Sequence, residues 1–139
     1  MSIEKLGLKP QLRDLLGQMA GAMLGDMTMV ITPETVAPAP TSEAWTRNVL
    51  IEVVDSDGKP HEWLTADFAT TLSVGDTSTA GTASIASTTL SLVNGKAVVV
   101  VSGDAADWLD TETDTLTVAN LIIMGYTVTG GTSVETFTA

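Results

Sequence analysis

Apolar and polar positions follow two different periods along this chain. Between Pro10 and Leu24, Leu12, Leu15, Leu16, Met19 and Met23 recur three and four residues apart. That spacing predicts an amphipathic helix of about four turns, with Pro10 tolerated near its first turn. Gly17, Gly21 and Gly25 fall four apart on one stripe. Each costs ~1 kcal/mol relative to Ala in a helix, yet the small-xxx-small pattern lets another backbone approach closely. An isolated helix of this length is marginal in water, so the stripe is expected to dock on another surface.

After the short apolar piece Met27 to Ile31, the segment Pro33-Glu-Thr-Val-Ala-Pro38-Ala-Pro40-Thr-Ser reads as an extended, semi-rigid linker. The sequence leaves open whether Met27 to Ile31 pairs with the rest of the chain or with another subunit. From Glu43 the period changes to two. Trp45, Arg47, Val49, Ile51 and Val53 alternate with Thr46, Asn48, Leu50, Glu52 and Val54, as in a long strand with one face in a core, and Asp55-Ser-Asp-Gly58-Lys-Pro60 follows as a turn.

In TTLSLVNGKAVVVVSG, Thr88 to Gly103, Asn94-Gly95 joins two apolar-rich runs and is a strong hairpin signal. Further short strands are expected at His61 to Leu64, Phe68 to Val74, Ala83 to Ala86, Leu90 to Val93, Ala97 to Ser102, Thr113 to Val118, Ile122 to Val128 and Val134 to Thr138, with a single helical turn possible at Asp104 to Leu109. Glycine turn signals between them give the spacing of an all-β sandwich. The expected organisation is therefore mainly β: an arm over residues 1–32 with its helix at 10–24, a Pro-rich linker over 33–42, and a β-sandwich over 43–139.

Charge narrows the functional classes. The 139 residues hold 6 Lys plus Arg against 17 Asp plus Glu, and residues 1–30 are neutral, with Lys5, Lys9 and Arg13 against Glu4, Asp14 and Asp26. An acidic body repels phosphate backbones, so no nucleic-acid partner is expected. Lys9, Pro10, Arg13 and Asp14 interrupt any apolar core of a secretory signal. The run Leu15 to Leu24 is shorter than the ~20 residues a membrane span needs, and the arm has too few cations for a membrane-surface helix. A soluble chain without a membrane partner is expected. With no cysteine, thiol chemistry and disulfides are excluded.

Candidate chemistry is sparse. Asp104, Asp107, Asp110, Glu112 and Asp114 form an acidic cluster, but their spacing lacks the Gly and Glu positions of an EF-hand, and Asp55-Ser-Asp-Gly begins like a calcium loop before Lys59-Pro60 breaks it. Both read as Asp-rich turns, with no metal or other cofactor expected. A triad would have to run through His61, the sole histidine, and no serine lies in a nucleophile-elbow pattern. Trp63 and Trp108 read as core or edge anchors before a ligand platform. No catalytic residue is assigned, and the interface candidates are Leu12, Leu15, Leu16, Met19 and Met23.

The strings Val49 to Val54 with Asp55-Ser-Asp-Gly-Lys-Pro, Thr77-Ser-Thr-Ala-Gly-Thr-Ala-Ser-Ile, Val93-Asn-Gly-Lys-Ala-Val-Val-Val, Leu116-Thr-Val-Ala-Asn and Ile123-Met-Gly-Tyr-Thr-Val-Thr-Gly-Gly resemble Ig-like modules of tailed-bacteriophage virion proteins. The same cadence is similar to Ig-like repeats of invasin- and intimin-type bacterial adhesins. A single module without a visible export signal favours the phage resemblance. It implies an Ig-like β-sandwich acting as a capsid decoration or cement protein, assembled in the host cytoplasm and carried on the capsid surface of the virion. The expected partners are the major capsid protein shell and other copies of itself, a trimer being favoured. The alternatives are a tail, fibre or head-tail component, and a carbohydrate- or host-surface-binding module marked by an exposed Trp63 or Trp108.

Overall fold

The computed structural model describes residues 26–34 and 40–138, and among them there is no helix. The helix expected at 10–24 lies outside these residues. Eleven strands follow in order: β1 (Thr28–Pro33), β2 (Trp45–Val54), β3 (Ala66–Phe68), β4 (Leu72–Asp76), β5 (Ala83–Ile85), β6 (Leu90–Leu92), β7 (Lys96–Gly103), β8 (Thr113–Val118), β9 (Leu121–Ile123), β10 (Tyr126–Val128) and β11 (Gly131–Thr136). They form a four-stranded sheet β1-β2-β7-β5, a three-stranded sheet β11-β8-β4, and the two-stranded pairs β3-β6 and β9-β10, with every pairing antiparallel.

One cluster of buried side chains joins all four sheets: Val49, Ile51 and Val101 from the four-stranded sheet, Leu116 and Val118 from the three-stranded one, Leu90 and Leu92 from β6, and Leu121 and Ile123 from β9. The alternation along β2 carries through from Trp45 to Val53, with Trp45, Arg47, Val49, Ile51 and Val53 buried, and breaks at the strand's end, where Val54 is buried too. Met27 to Ile31, whose partner the sequence leaves open, is answered by β1, which pairs with β2 from Thr28↔Val54 to Pro33↔Val49. The Pro-rich segment therefore connects two neighbouring strands of one sheet, and strand pairing begins upstream of it.

Five expectations are corrected by the structure. Asn94-Gly95 does form a two-residue turn, with φ of 52° and 76° and Val93 and Lys96 exchanging backbone hydrogen bonds of 2.9 and 3.1 Å. The flanking strands then part: β6 pairs with β3 while β7 pairs with β2, so the turn is a corner between sheets. Phe68 to Val74 is two strands, broken at Thr70 (φ 56°), because β3 and β4 belong to different sheets. Ile122 to Val128 is a hairpin, β9 and β10 joined at Met124 (φ 50°) and Gly125 (φ 83°). His61 to Leu64 is a turn closed by Leu64 N–H donating to His61 C=O at 3.0 Å. Asp104 to Leu109 likewise makes no helical turn: Trp108 bridges back to Thr41 by a pair of backbone hydrogen bonds of 3.0 and 2.8 Å.

A buried ion pair ties the two larger sheets. Arg47, 1% exposed on β2, donates from Nε (2.9 Å) and Nη2 (2.6 Å) to Oδ1 of Asp114, fully buried on β8, and from Nη1 to Ser133 Oγ (3.1 Å) and Nη2 to Ser133 C=O (3.1 Å) on β11. Asp114 stands directly between Asp76 of β4 and Glu135 of β11, so three carboxylates share one row across the sheet. Like charges in such a row repel, and Arg47 offsets them from the facing sheet. Asp76 has its own donors, the N–H groups of Ser78 (3.1 Å) and Ala83 (2.9 Å).

Removing one partner of a buried pair strands the other charge. Arg47→Met or Asp114→Leu alone is expected to cost about 3–5 kcal/mol, while the double variant returns close to the parent; urea midpoints measure both. Gly95 supplies a second prediction. Its φ is positive and a Cβ there would lie 2.7 Å from the His61 carbonyl oxygen, whereas Gly125, also at positive φ, faces open space. Gly95→Ala is expected to lose at least about 1–3 kcal/mol, clearly more than Gly125→Ala, in the same denaturation experiment.

Candidate functional site

The carboxylates singled out in the sequence are dispersed by the fold, and Asp55, Asp104 and Glu112 are spent on its own backbone. Glu112 accepts from Leu109 N–H (2.7 Å), Thr79 N–H (2.9 Å) and Ser78 Oγ (3.3 Å), joining two loops. Asp104 accepts from Thr82 N–H at 2.8 Å, and Asp114 is the buried partner of Arg47. Asp107 and Asp110 are exposed. In the Asp55 turn, Oδ1 of Asp55 accepts from the N–H groups of Asp57 (2.9 Å) and Lys59 (3.0 Å), and Gly58 takes φ 80°. Among the described residues no three His, Cys, Asp or Glu side chains come together to hold a metal ion.

These contacts set the acid chemistry. The Leu109 hydrogen bond, aided by those from Thr79 and Ser78, holds the Glu112 carboxyl below its usual 4.5 against an opposing effect of burial. The Lys59 backbone hydrogen bond does the same for Asp55, against partial desolvation and with help from Asp57. Asp114 goes the other way: burial pushes its carboxyl up and the Asp76 charge adds to the rise, while Arg47 pulls it down.

The aromatic residues divide into two groups. Trp108 is buried, its Nε1 donating to Asp104 C=O at 3.1 Å, and it stacks on Phe137 at 5.1 Å while Trp45 meets it edge-on at 5.2 Å. Gly103 lacks the Cβ that would collide with the Trp45 indole. Trp63 is 41% exposed and meets the His61 ring edge-on at 5.8 Å. His61 is partly buried, and its Nε2 has no hydrogen-bond partner, so no serine or carboxylate completes a triad through that atom. Trp63 stands at the rim of an open cleft of about 560 Å³ that Asp26, Asp55, Asp57, Lys59 and His61 also line. Aromatic and polar groups are thus brought together at one end of the four-stranded sheet, where Thr28 pairs with Val54.

Two apolar surfaces face solvent. On β7, Val98 (52%) and Val100 (45%) point away from the core, flanked on the same face by half-buried Leu50 opposite Val98 and by exposed Val30 on β1. At the β9-β10 hairpin, Ile122, Met124 and Tyr126 are exposed, Met124 at 75%. The valine run Val98–Val101 held the signal for the first: four consecutive apolar residues in a strand present apolar side chains on both faces. The interface candidates Leu12, Leu15, Leu16, Met19 and Met23 lie outside the described residues. Compared with known proteins, the chain matches no family model, no curated protein and no solved structure.

Glu112 gives a pH-dependent prediction. Its folded-state pKa is lowered, so its contribution is present above the unfolded value and is lost as pH falls through the folded one. Glu112→Gln is expected to melt lower than the parent at pH 7, with the gap closing as pH drops below the usual 4.5, measured by thermal melts from pH 7 to pH 3. Asp114, with its raised pKa, has the opposite sign: its contribution is present below the usual 3.8 and is lost as pH rises through the raised value.

Proposed function

We propose that the chain is a virion structural protein, a decoration or cement protein that binds and stabilises the capsid of a tailed phage. Its β-domain is an Ig-like sandwich in this reading. The observation that carries it is the allocation of side chains: Asp55, Asp104, Glu112 and Asp114 are bonded within the fold, while large apolar side chains are presented to solvent at Val98, Val100, Ile122 and Met124. A protein whose exposed chemistry is apolar surface acts by contact.

The N-terminal stripe of Leu12, Leu15, Leu16, Met19 and Met23 adds contact area against a neighbouring copy or the shell. Apolar burial at ~25 cal/mol per Å² makes each contact modest, and repetition over a lattice multiplies it. The acidic body, with 14 acidic against 3 basic residues from 31 onward, would be drawn to basic patches on the shell. Cosedimentation with purified phage capsids that lack the protein tests this reading. Saturable binding that raises the capsid's melting temperature, weakened at least tenfold by Leu15→Asp/Met19→Asp, is expected; absence of binding by the full chain sinks it.

A second reading rests on Trp63, whose exposed ring beside polar side chains is the arrangement of a carbohydrate- or host-surface-binding module. Glycan-array binding that disappears in Trp63→Ala would establish it in place of the cement role.

A further inference from the structure

We propose that the cleft beside Trp63 is a peptide-binding site that takes an arginine side chain of a partner protein, with the guanidinium stacked on the indole and held by the surrounding carboxylates. The inference goes beyond the proposed function and does not depend on the partner being a capsid. It gives the cleft of the second reading a different ligand. At about 560 Å³ the cleft has the size of a ligand site, and its concave wall carries an aromatic ring and charged groups together.

The aromatic platform is fixed by the fold before any ligand arrives. Pro60 bridges back to Val54, His61 N–H donates to Val53 C=O at 3.0 Å, and Leu64 N–H closes the turn on His61 C=O at 3.0 Å. Gly95 N–H then ties Leu64 C=O to the corner between sheets at 2.8 Å. Trp63 is thus anchored through the residues on both sides of it, while its own side chain stays 41% exposed. The edge-on contact with His61 takes at most one of the two indole faces. Of the aromatic side chains, indole attracts a cation most strongly, and a planar guanidinium stacks on it while directing its N–H groups sideways.

The charge around the ring selects the sign of the ligand. Asp26, Asp55, Asp57 and Glu62 line the cleft against Lys59 and His61. Asp55 is committed to its own turn through Oδ1, but the carboxylates of Asp26, Asp57 and Glu62 meet no donor among the described residues. Like charges on a concave surface focus a negative potential, which draws in a cation and repels phosphate, sulfate and anionic glycans. Arginine answers both features, because its fork matches a carboxylate and its plane matches the indole. A neutral sugar would stack on Trp63 and leave the excess of carboxylates uncompensated. A second hollow of about 420 Å³ shares Pro60 and Glu62 with the first and is walled by Val93, Asn94 and Lys96, with Val93 59% exposed. The two hollows together suit a short extended segment, with arginine beside Trp63 and an apolar neighbour beside Val93.

NMR titration of the isotope-labelled full-length protein tests the site. The probe is a short blocked peptide with one arginine between alanine and leucine, compared with the same peptide carrying uncharged citrulline in place of arginine and with a neutral oligosaccharide. Saturable shifts of the Trp63 indole N–H and of the Asp57 and Glu62 amides are expected with the arginine peptide, while the buried Trp45 and Trp108 indoles stay in place. Binding is expected to be about fivefold weaker for the citrulline peptide, for Trp63→Ala and for Asp57→Asn/Glu62→Gln, and to weaken as NaCl is raised. These side chains are exposed, so both variants are expected to keep the parent's amide spectrum elsewhere. No saturable shift, an equal response to the citrulline peptide, or binding unchanged in both variants would overturn the proposal. Saturable binding of the oligosaccharide without any response to the arginine peptide would overturn it in favour of the glycan reading. Because the probe is a peptide, failure of capsid binding leaves this result intact, and failure here leaves the virion role standing.

Discussion

A buried guanidinium sets the terms for this fold. Arg47 occupies a position in β2 where the alternation otherwise demands an apolar side chain, and every neighbour on its face, Trp45, Val49, Ile51 and Val53, is in the core. Such a charge is tolerable in an interior only when its donors are met, and Arg47 has partners on two further strands, Asp114 on β8 and Ser133 on β11. The requirement fixes how the two larger sheets face one another, because sliding one strand by a residue would turn Asp114 or Ser133 to the opposite side. The cost is visible in the same place: Asp114 Oδ2 is buried without a partner, and three carboxylates lie abreast in one row.

The same economy governs the loops. Asp55, Asp76, Asp104 and Glu112 each accept a backbone N–H, so these carboxylates are the fastenings of turns. In a chain without disulfides, the bonds of Asp76, Asp104 and Glu112 and the Trp45, Trp108 and Phe137 cluster lie at one end of the core, and the Asp55 turn lies at the other end of β2. Stability and surface are thereby separated. Polar groups are drawn inward to anchor, and apolar side chains on β7 and on the β9-β10 hairpin are left outward, which is the arrangement on which the proposed contact function rests.

Much of the strand content was legible. The alternation from Trp45 to Val53 and the run Thr113 to Val118 reappear in β2 and β8 because a half-buried strand leaves a period of two in its residues. The breaks were less legible. Thr70 and Met124 adopt left-handed conformations although neither is a usual turn residue, so the break at Thr70 carries no local signal and the turn at Met124 only the glycine that follows it, Gly125. The cleft was half legible: the Asp55 turn was recognisable, while its convergence with Asp26 and Trp63 depends on β1 pairing back onto β2 from across the Pro-rich connection.

The sequence by itself determined the class of structure, the position of most strands and turns, the acidic balance and the lack of thiols, since each of these is written in periodicity or composition. Only the tertiary structure decided which strands became partners, that Asn94-Gly95 turns a corner between sheets, that Arg47 and Asp114 meet, and which valines of the β7 run face solvent. These outcomes depend on contacts between residues far apart in the chain, as the 67 positions separating Arg47 from Asp114 illustrate. Local preference constrains a strand, but its partner is chosen by burial and by the satisfaction of buried charge over the whole domain.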